Sequence, residues 1–341
     1  MSVLPILCIV FAALVLGAGV VVGRFALTRI PNMKKEARRA NQIIAESDRA
    51  FARMPAGGEG LFTVLVENHV AEAQGALQAS HAVSILVERG GLSFLMDLGD
   101  GDVYGTNARA LGKDLASVSF AFISHGHADH GGALAHFLKS NPTAPVYVSE
   151  RAMLERHFAR IVGPIRRDIS LDATLVDRYP DRFEFPVGVA EIATDIFIIP
   201  TVARRHPIPA GNARLLKEAS GRAVLDNFDH EQILVIRDHN GLVVFSGCCH
   251  NGILNVLDTV RTAFPDERLK GVIGGFHLFS ATAVKMAETP EYVRSLGEAM
   301  LSSESTLFVT GHCTGTEAYV ILKGILADRL AYFSTGRRFR L

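Results

Sequence analysis

Six residues constrain this chain more than any other stretch: His125-Gly126-His127-Ala128-Asp129-His130, followed by Gly131-Gly132. They come just after a run of β-formers, Val118 to Ile123, so the string predicts a strand end, a turn and a helix start. In extended backbone alternate side chains point the same way, which lets His125 and His127 grip one ion. Asp129 and His130 then project from the turn toward a second ion. Imidazole with carboxylate suits zinc, and also iron or manganese. Two histidines at spacing two often arise by accident, but a full H-x-H-x-D-H string serves few structural purposes.

The string resembles the signature of the metallo-β-lactamase superfamily, most of whose members are dinuclear metallohydrolases. The resemblance implies an α/β fold: an αββα sandwich of two mixed sheets, helices outside, with the metal site where strand-to-helix loops converge at one edge. It also gives a role to Leu95-Met96-Asp97-Leu98-Gly99, which matches the superfamily's first motif. There the acid, here Asp97, orients a ligating histidine from behind, as such sites usually require. An ordinary strand-end aspartate is the competing reading.

With 341 residues and 48% hydrophobic content, the chain can bury one large core or two modest ones. Its formal net charge is zero and Lys and Arg are not massed on the catalytic region, so no nucleic-acid partner is expected. The N-terminus differs. Residues 1–23 carry no charge, and Val3 to Val22 is almost wholly apolar, long enough to cross the hydrocarbon core as a helix. Arg24, Arg29, Lys34, Lys35, Arg38 and Arg39 follow at once. Such a flank stays in the cytoplasm and attracts anionic headgroups. The reading is a single-pass transmembrane anchor over 1–23 in the cell (inner) membrane, a basic juxtamembrane helix and linker over 24–60, and a catalytic domain over 61–341 facing the cytoplasm. A cleaved signal peptide and a buried helix compete, but no basic residue precedes the apolar run and no small-x-small site follows it. Cys248, Cys249 and Cys313 all sit beside candidate ligands, which reads as free thiols in a reducing compartment.

From Leu61 onward short β-rich runs alternate with helices. Strands are expected over 61–66, 83–88, 92–97, 118–124, 145–149, 196–200, 233–236, 242–246, 271–274 and 306–310. Helices are expected over 132–139, 150–161, 253–264, 290–302 and 316–326. In the third of these helices Ile253, Val256, Leu257, Val260 and Phe264 share one face, a core face by its spacing. Residues 162–230 are the least regular and read as a lid or insertion over the site.

Three further strand ends carry histidine: Ser246-Gly247-Cys248-Cys249-His250, Gly274-Gly275-Phe276-His277 and Thr310-Gly311-His312-Cys313. His250 is placed to complete a coordination shell. His312 matches the superfamily's final ligand, and His277 reads as a substrate or outer-shell contact; a satisfied buried histidine is the alternative for each. Together with Phe228-Asp229-His230-Glu231-Gln232, these strings are similar to the branch named for 7,8-dihydropterin-6-methyl-4-(β-D-ribofuranosyl)aminobenzene-5′-phosphate synthase. The resemblance covers most of 61–341 and implies a reaction joining a dihydropterin methyl diphosphate to a ribosyl-aminobenzene phosphate, with loss of pyrophosphate. The chain departs from the branch at Ser80-His81-Ala82, at Cys249 where a serine is usual, at Val202-Ala203-Arg204-Arg205-His206-Pro207, and in its anchor. Many superfamily members also have a bridging aspartate where this chain has Cys248. A thiolate could bridge there, but His250 is the first choice of ligand.

The expected cofactor is two divalent ions, zinc first. His125, His127 and His250 hold one; Asp129, His130 and His312 hold the other. The ions would acidify a water between them and stabilise a phosphate leaving group, Asp129 could accept a proton, and Arg204, Arg205 and His206 would contact phosphate. The implied partner is a small, phosphorylated substrate. A general metallohydrolase of a lactone, thioester or phosphodiester, and a non-catalytic metal- or ligand-binding protein, are the alternatives.

Overall fold

The computed structural model describes residues 31–47, 51, 58–70, 76–281, 284–303 and 306–341. The expected anchor over 1–23 lies outside them; among the described residues no helix is long and apolar enough to cross a membrane.

Two seven-stranded sheets form the middle of the molecule. The first runs in the order Arg338–Arg340, Leu61–Val66, Ser84–Arg89, Leu92–Met96, Phe120–Phe122, Val146–Tyr147, Phe183–Glu184; the second runs Leu330–Tyr332, Leu307–Thr310, Leu269–Ile273, Gly241–Phe245, Ile233–Asp238, Ile196–Ile199, Ala190–Ala193. Each sheet is antiparallel in one half and parallel in the other. In the first, the run from Leu92–Met96 to Phe183–Glu184 is parallel; in the second, the run from Leu330–Tyr332 to Gly241–Phe245 is parallel. Parallel strands are joined by helices, which cover the outer faces.

Side chains alternate across each strand, so each sheet feeds two cores. Phe94, Met96, Val243 and Phe245 face the space between the sheets with Phe62, Ile85, Leu234 and Ile273. Leu95 and Leu65 face outward, under Tyr104, Leu134 and Phe137. Leu242 and Val244 face outward on the second sheet, under Val256, Val260, Val293 and Leu322. Burial on both faces explains why these strands read as unbroken apolar runs. The expected αββα sandwich is the architecture found.

Two expectations change. The helix expected over 150–161 stops at Leu154, and His157–Val162 is a strand; β-branched Ile161 and Val162 and the following Gly163 turn favour a hairpin with Ile165–Asp168. Residues 162–230 are not irregular: Arg222–Leu225, Leu215–Ala219, His157–Val162 and Ile165–Asp168 pair as a separate four-stranded sheet. The segment expected as a juxtamembrane helix is helical over 31–47 and docks on the domain. Its Ile43 and Ile44 enter the outer core of the second sheet, and Glu36 accepts from Thr316 N–H (2.8 Å) and Oγ1 (2.7 Å).

The parallel halves matter most. Their strands all point their C-terminal ends toward one edge, where open α/β sheets bind ligands. Asp97, the 124–130 loop, Cys248 to Asn251, His277 and His312 each follow the end of one of these strands.

Candidate metal centre

Four histidines meet here with their Nδ1 atoms already engaged. His125 Nδ1 lies 2.9 Å from Ser124 Oγ, whose hydroxyl donates to Asp97 Oδ2 at 2.8 Å. His130 Nδ1 lies 2.5 Å from that same Asp97 oxygen. His250 Nδ1 lies 3.0 Å from Asn212 Oδ1, and His312 Nδ1 lies 3.0 Å from Asn68 Oδ1. With each Nδ1–H donated outward, the neutral form of each imidazole carries its lone pair on Nε2.

Those lone pairs converge. His125 Nε2 is 3.1 Å from His127 Nδ1 and 3.2 Å from His250 Nε2. His130 Nε2 is 3.1 Å from Cys248 Sγ, and His312 Nε2 is 3.4 Å from Asp129 Oδ2. His125, His127, His130, His250 and His312 are all buried. Facing lone pairs in a buried site repel unless a proton or a cation lies between them. A donor set of five imidazoles, one carboxylate and one thiol fits divalent zinc-like ions.

Electrostatics follow from the same contacts. Burial alone would lower the His130 imidazolium, but the Asp97 and Asp129 carboxylates outweigh it and push it up to about 9. Burial pushes the Cys248 thiol well up, so a thiolate there needs a cation against Sγ. Glu231 accepts from the backbone N–H groups of His250 (2.6 Å) and Asn251 (2.8 Å) and from Asn251 Nδ2; burial still pushes its carboxyl up to about 7. Glu67 does the matching work for His312, whose N–H donates to Oε1 at 2.7 Å.

Backbone strain concentrates here. Asp97, Cys249, His277 and His312 all have φ between +49° and +55°, uncommon for residues other than glycine. Gly247 has φ +46°, and a Cβ there would strike Ser124 Oγ, the atom linking His125 to Asp97.

The predicted residues divide clearly. His125, His127, Asp129, His130, His250 and His312 come together, and Asp97 stands behind them. His277 joins them: its ring centroid lies 4.1 Å from that of His250, and both its ring nitrogens are buried with no close hydrogen-bond partner among the described residues. The phosphate-contact loop is more mixed. Arg204 Nε donates to Asn251 Oδ1 at 2.6 Å, beside the centre, and Arg205 is exposed. His206 is engaged instead by Asp258 (2.9 Å), while its N–H and that of Arg205 donate to Asn255 Oδ1. It locks the loop to the helix Ile253–Ala263 over an apolar cavity of about 120 Å³ walled by Pro207, Ile253, Phe276, Leu278 and Tyr292. The His206 ring is thus engaged by Asp258 rather than standing free at the rim. Sequence reasoning missed Asn68, Asn212, Ser124 and Glu231, the partners that fix ligand orientation, and His81, which stacks on His312 (4.7 Å). It also missed His157 and Asp226. Glu231 and its neighbour His230 lay in a string already noted, and so did His81, in Ser80-His81-Ala82.

Comparison with known proteins points to the same fold. A family model described as the metallo-beta-lactamase superfamily matches residues 78–213. The 7,8-dihydropterin-6-methyl-4-(beta-D-ribofuranosyl)-aminobenzene-5′-phosphate synthase of Methanocaldococcus jannaschii is 26% identical over 221 residues, covering 62% of this chain and 71% of that protein. Among solved structures, Tm1679, described as a metal-dependent hydrolase of the beta-lactamase superfamily, superposes with a TM-score of 0.69 at 27% identity, covering 83% of this chain and 99% of the other. YhfI from Bacillus subtilis, a metallo-beta-lactamase fold protein, superposes at 0.50 with 12% identity over 84% of this chain and 100% of the other, a likeness of fold alone.

Proposed function

We propose, for a chain of the metallo-β-lactamase fold that resembles the dihydropterin–ribofuranosylaminobenzene-phosphate synthase, a membrane-anchored enzyme with two divalent ions that acts on a small phosphorylated substrate. One observation carries the reading: four histidines whose Nδ1 atoms are held by Ser124, Asp97, Asn212 and Asn68 turn their Nε2 atoms toward one another, with His127 Nδ1, Asp129 and Cys248 among them. His125, His127 and His250 would hold one ion; Asp129, His130 and His312 the other, with the Cys248 thiol next to His130. When bound, such ions supply Lewis-acid polarisation of a phosphoryl oxygen and acidification of a water.

The chain's own residues do the rest. Asp97 fixes His130 so that Nε2 faces inward, and Ser124 does the same for His125. Asp129, whose side chain is 26% exposed, meets solvent and can take a proton from an incoming amine or water. Arg204, tied to Asn251, brings a guanidinium to the rim, where it matches a phosphate. In the synthase-like reaction a diphosphate leaves and an amine or carbon attacks; in simple hydrolysis water attacks.

The test is metal content per purified chain, followed by turnover of a dihydropterin methyl diphosphate with a ribosyl-aminobenzene phosphate, of phosphodiesters and of lactones. Two ions per chain and pyrophosphate release would support the reading. Lactone or phosphodiester turnover without pterin affinity would replace it with a general hydrolase. Fewer than about one ion per chain, with activity unchanged in His127→Ala, would sink it.

The anchor rests on the apolar stretch 3–22 and its basic flank. The full chain is expected to stay with membranes through an alkaline wash, and a chain lacking 1–23 is not. Release of the full chain by that wash would remove the anchor and leave the metal reading standing.

A further inference from the structure

A second buried polar cluster lies directly behind His127. His157, Asp226 and His230 are 0%, 6% and 0% exposed, and their polar atoms gather with those of His127 within 4.8 Å. Asp226 Oδ2 lies 3.0 Å from His157 Nδ1 and 3.2 Å from His230 Nε2, while Oδ1 accepts from Phe228 N–H at 2.7 Å. His230 Nδ1 accepts from Gly126 N–H at 3.1 Å. Two atoms are left over: His127 Nε2 and His157 Nε2, both buried and both without a hydrogen-bond partner among the described residues.

Three imidazoles and a carboxylate could suggest a third ion, but the proton count opposes it. His230 Nδ1 is an acceptor, so its Nε2 must carry the hydrogen it gives to Asp226. As a ligand it would have to be an imidazolate. His127 would have to be one too, since its Nδ1 already faces His125 and His250. The arrangement works without a cation. Asp226 takes Nδ1–H of His157 and so leaves a lone pair on His157 Nε2. His127, with Nδ1 turned to the first centre, carries its hydrogen on Nε2. A buried donor and a buried acceptor thus stand on neighbouring rings whose centroids are 5.8 Å apart. Position 126 admits only glycine for the same reason: a Cβ there would lie 2.6 Å from His157 Nε2 and 2.9 Å from Ala152 O.

We propose that His157, held by Asp226, is the positioning residue of His127: its Nε2 takes the Nε2–H of that ligand, closed by a small ring rotation or by one buried water. His230 completes the device by holding the Gly126 N–H, which fixes the backbone between the first two histidines. The outward N–H of a metal-bound histidine ordinarily needs such an acceptor. His125, His130, His250 and His312 have theirs from serine, aspartate and two asparagines, and this pair supplies the missing one.

The inference rests on His127 being a ligand, so its test must fail differently from that reading. The full chain is loaded with Co(II), and the exchangeable, hyperfine-shifted imidazole N–H signals are recorded by proton NMR alongside Co(II) affinity. His157→Phe removes the acceptor, and Asp226→Asn reverses the His157 tautomer. Each should abolish or speed the exchange of one N–H signal, spare the others, and weaken Co(II) about 10- to 100-fold. His157→Gln, which restores an acceptor, should recover most of that loss. Unchanged signals and affinity in both disruptive variants would overturn the proposal, as would an anomalous-scattering peak between His157 and Asp226 in the zinc-loaded protein. If the wild-type chain binds no Co(II), the metal reading fails, and the His157–Asp226 pair is read from the ¹⁵N shifts of His157 in the metal-free chain. An Nδ1-protonated tautomer that changes in Asp226→Asn supports it; an Nε2-protonated one refutes it.

Discussion

Asp97→Asn is the sharpest probe of the centre because it changes one atom and keeps the shape. Asp97 accepts three hydrogen bonds: from Ser124 N–H (2.7 Å), Ser124 Oγ (2.8 Å) and His130 Nδ1 (2.5 Å). Asparagine can keep the first through its oxygen, but its NH₂ then faces Ser124 Oγ and His130 Nδ1. His130 must switch its hydrogen to Nε2 to accept from that amide, and a protonated Nε2 cannot ligate. Ser124 Oγ loses its acceptor and with it the reason to receive from His125. Affinity for the ion at His130 should fall about 10- to 100-fold, or roughly 1.4–2.8 kcal/mol by the tenfold rule.

The same substitution has a pH signature. His130 is raised to about 9 in the metal-free chain, against an ordinary 6.5, chiefly by Asp97 acting against burial. A raised histidine stabilises the fold fully below pH 6.5, and that stability is lost as pH climbs through 9. That stabilisation is on the order of 3 kcal/mol at most. Metal must displace that proton, so loading the wild-type chain at pH 7.5 should release it, and affinity should rise with pH toward 9. In Asp97→Asn the release should vanish. Competition against a chromophoric chelator gives the affinity, and titration calorimetry in buffers of different ionisation enthalpy gives the protons. An Asp97→Asn chain that binds within twofold of wild type and releases the same proton would refute the argument.

Other outcomes follow from particular contacts. Gly247→Ala should cost several kcal/mol in denaturant melts and abolish stoichiometric metal, because φ is +46° and the new Cβ meets Ser124; a stable, metal-replete variant would contradict this. Stripping metal with a chelator should lower unfolding free energy by about 3 kcal/mol per ion if each was held at 100 times its Kd; no change would mean no resident ion. Glu36→Gln should weaken the fold by about 1 kcal/mol, since Glu36 accepts from Thr316 N–H at the start of the helix Thr316–Leu326; an unchanged melt would mean the 31–47 helix is not docked in solution.

How much of this centre was legible in the sequence depends on which residues one asks about. The ligand candidates were legible because each follows a β-run with a glycine beside it, and only strand-to-helix turns at one sheet edge bring such residues together. The fold was legible for the same reason, since apolar runs alternating with helices predict two-faced burial and parallel strands. The outer partners were not. Asn68 between Glu67 and His69, Asn212 in the short 3-10 turn Ala210–Arg214, and Asp226 beside Asn227 lie outside the main strands and helices, and nothing in their neighbours distinguishes a ligand-orienting side chain from a solvated one. Their roles are fixed by contacts 38 to 244 residues away, such as Asn212 with His250 and Asn68 with His312. His157 was hidden in another way: the helical pattern of 150–154 was extended across it, although Gly163 makes the turn of a hairpin rather than the end of a helix. The sequence therefore reveals what can bind metal, whereas long-range pairing decides which nitrogen of each histidine does so. That choice of nitrogen rests on Asp97, Ser124, Asn212, Asn68 and, as we infer, His157, so substituting these partners discriminates a working centre from a mere cluster of histidines better than removing any one ligand does.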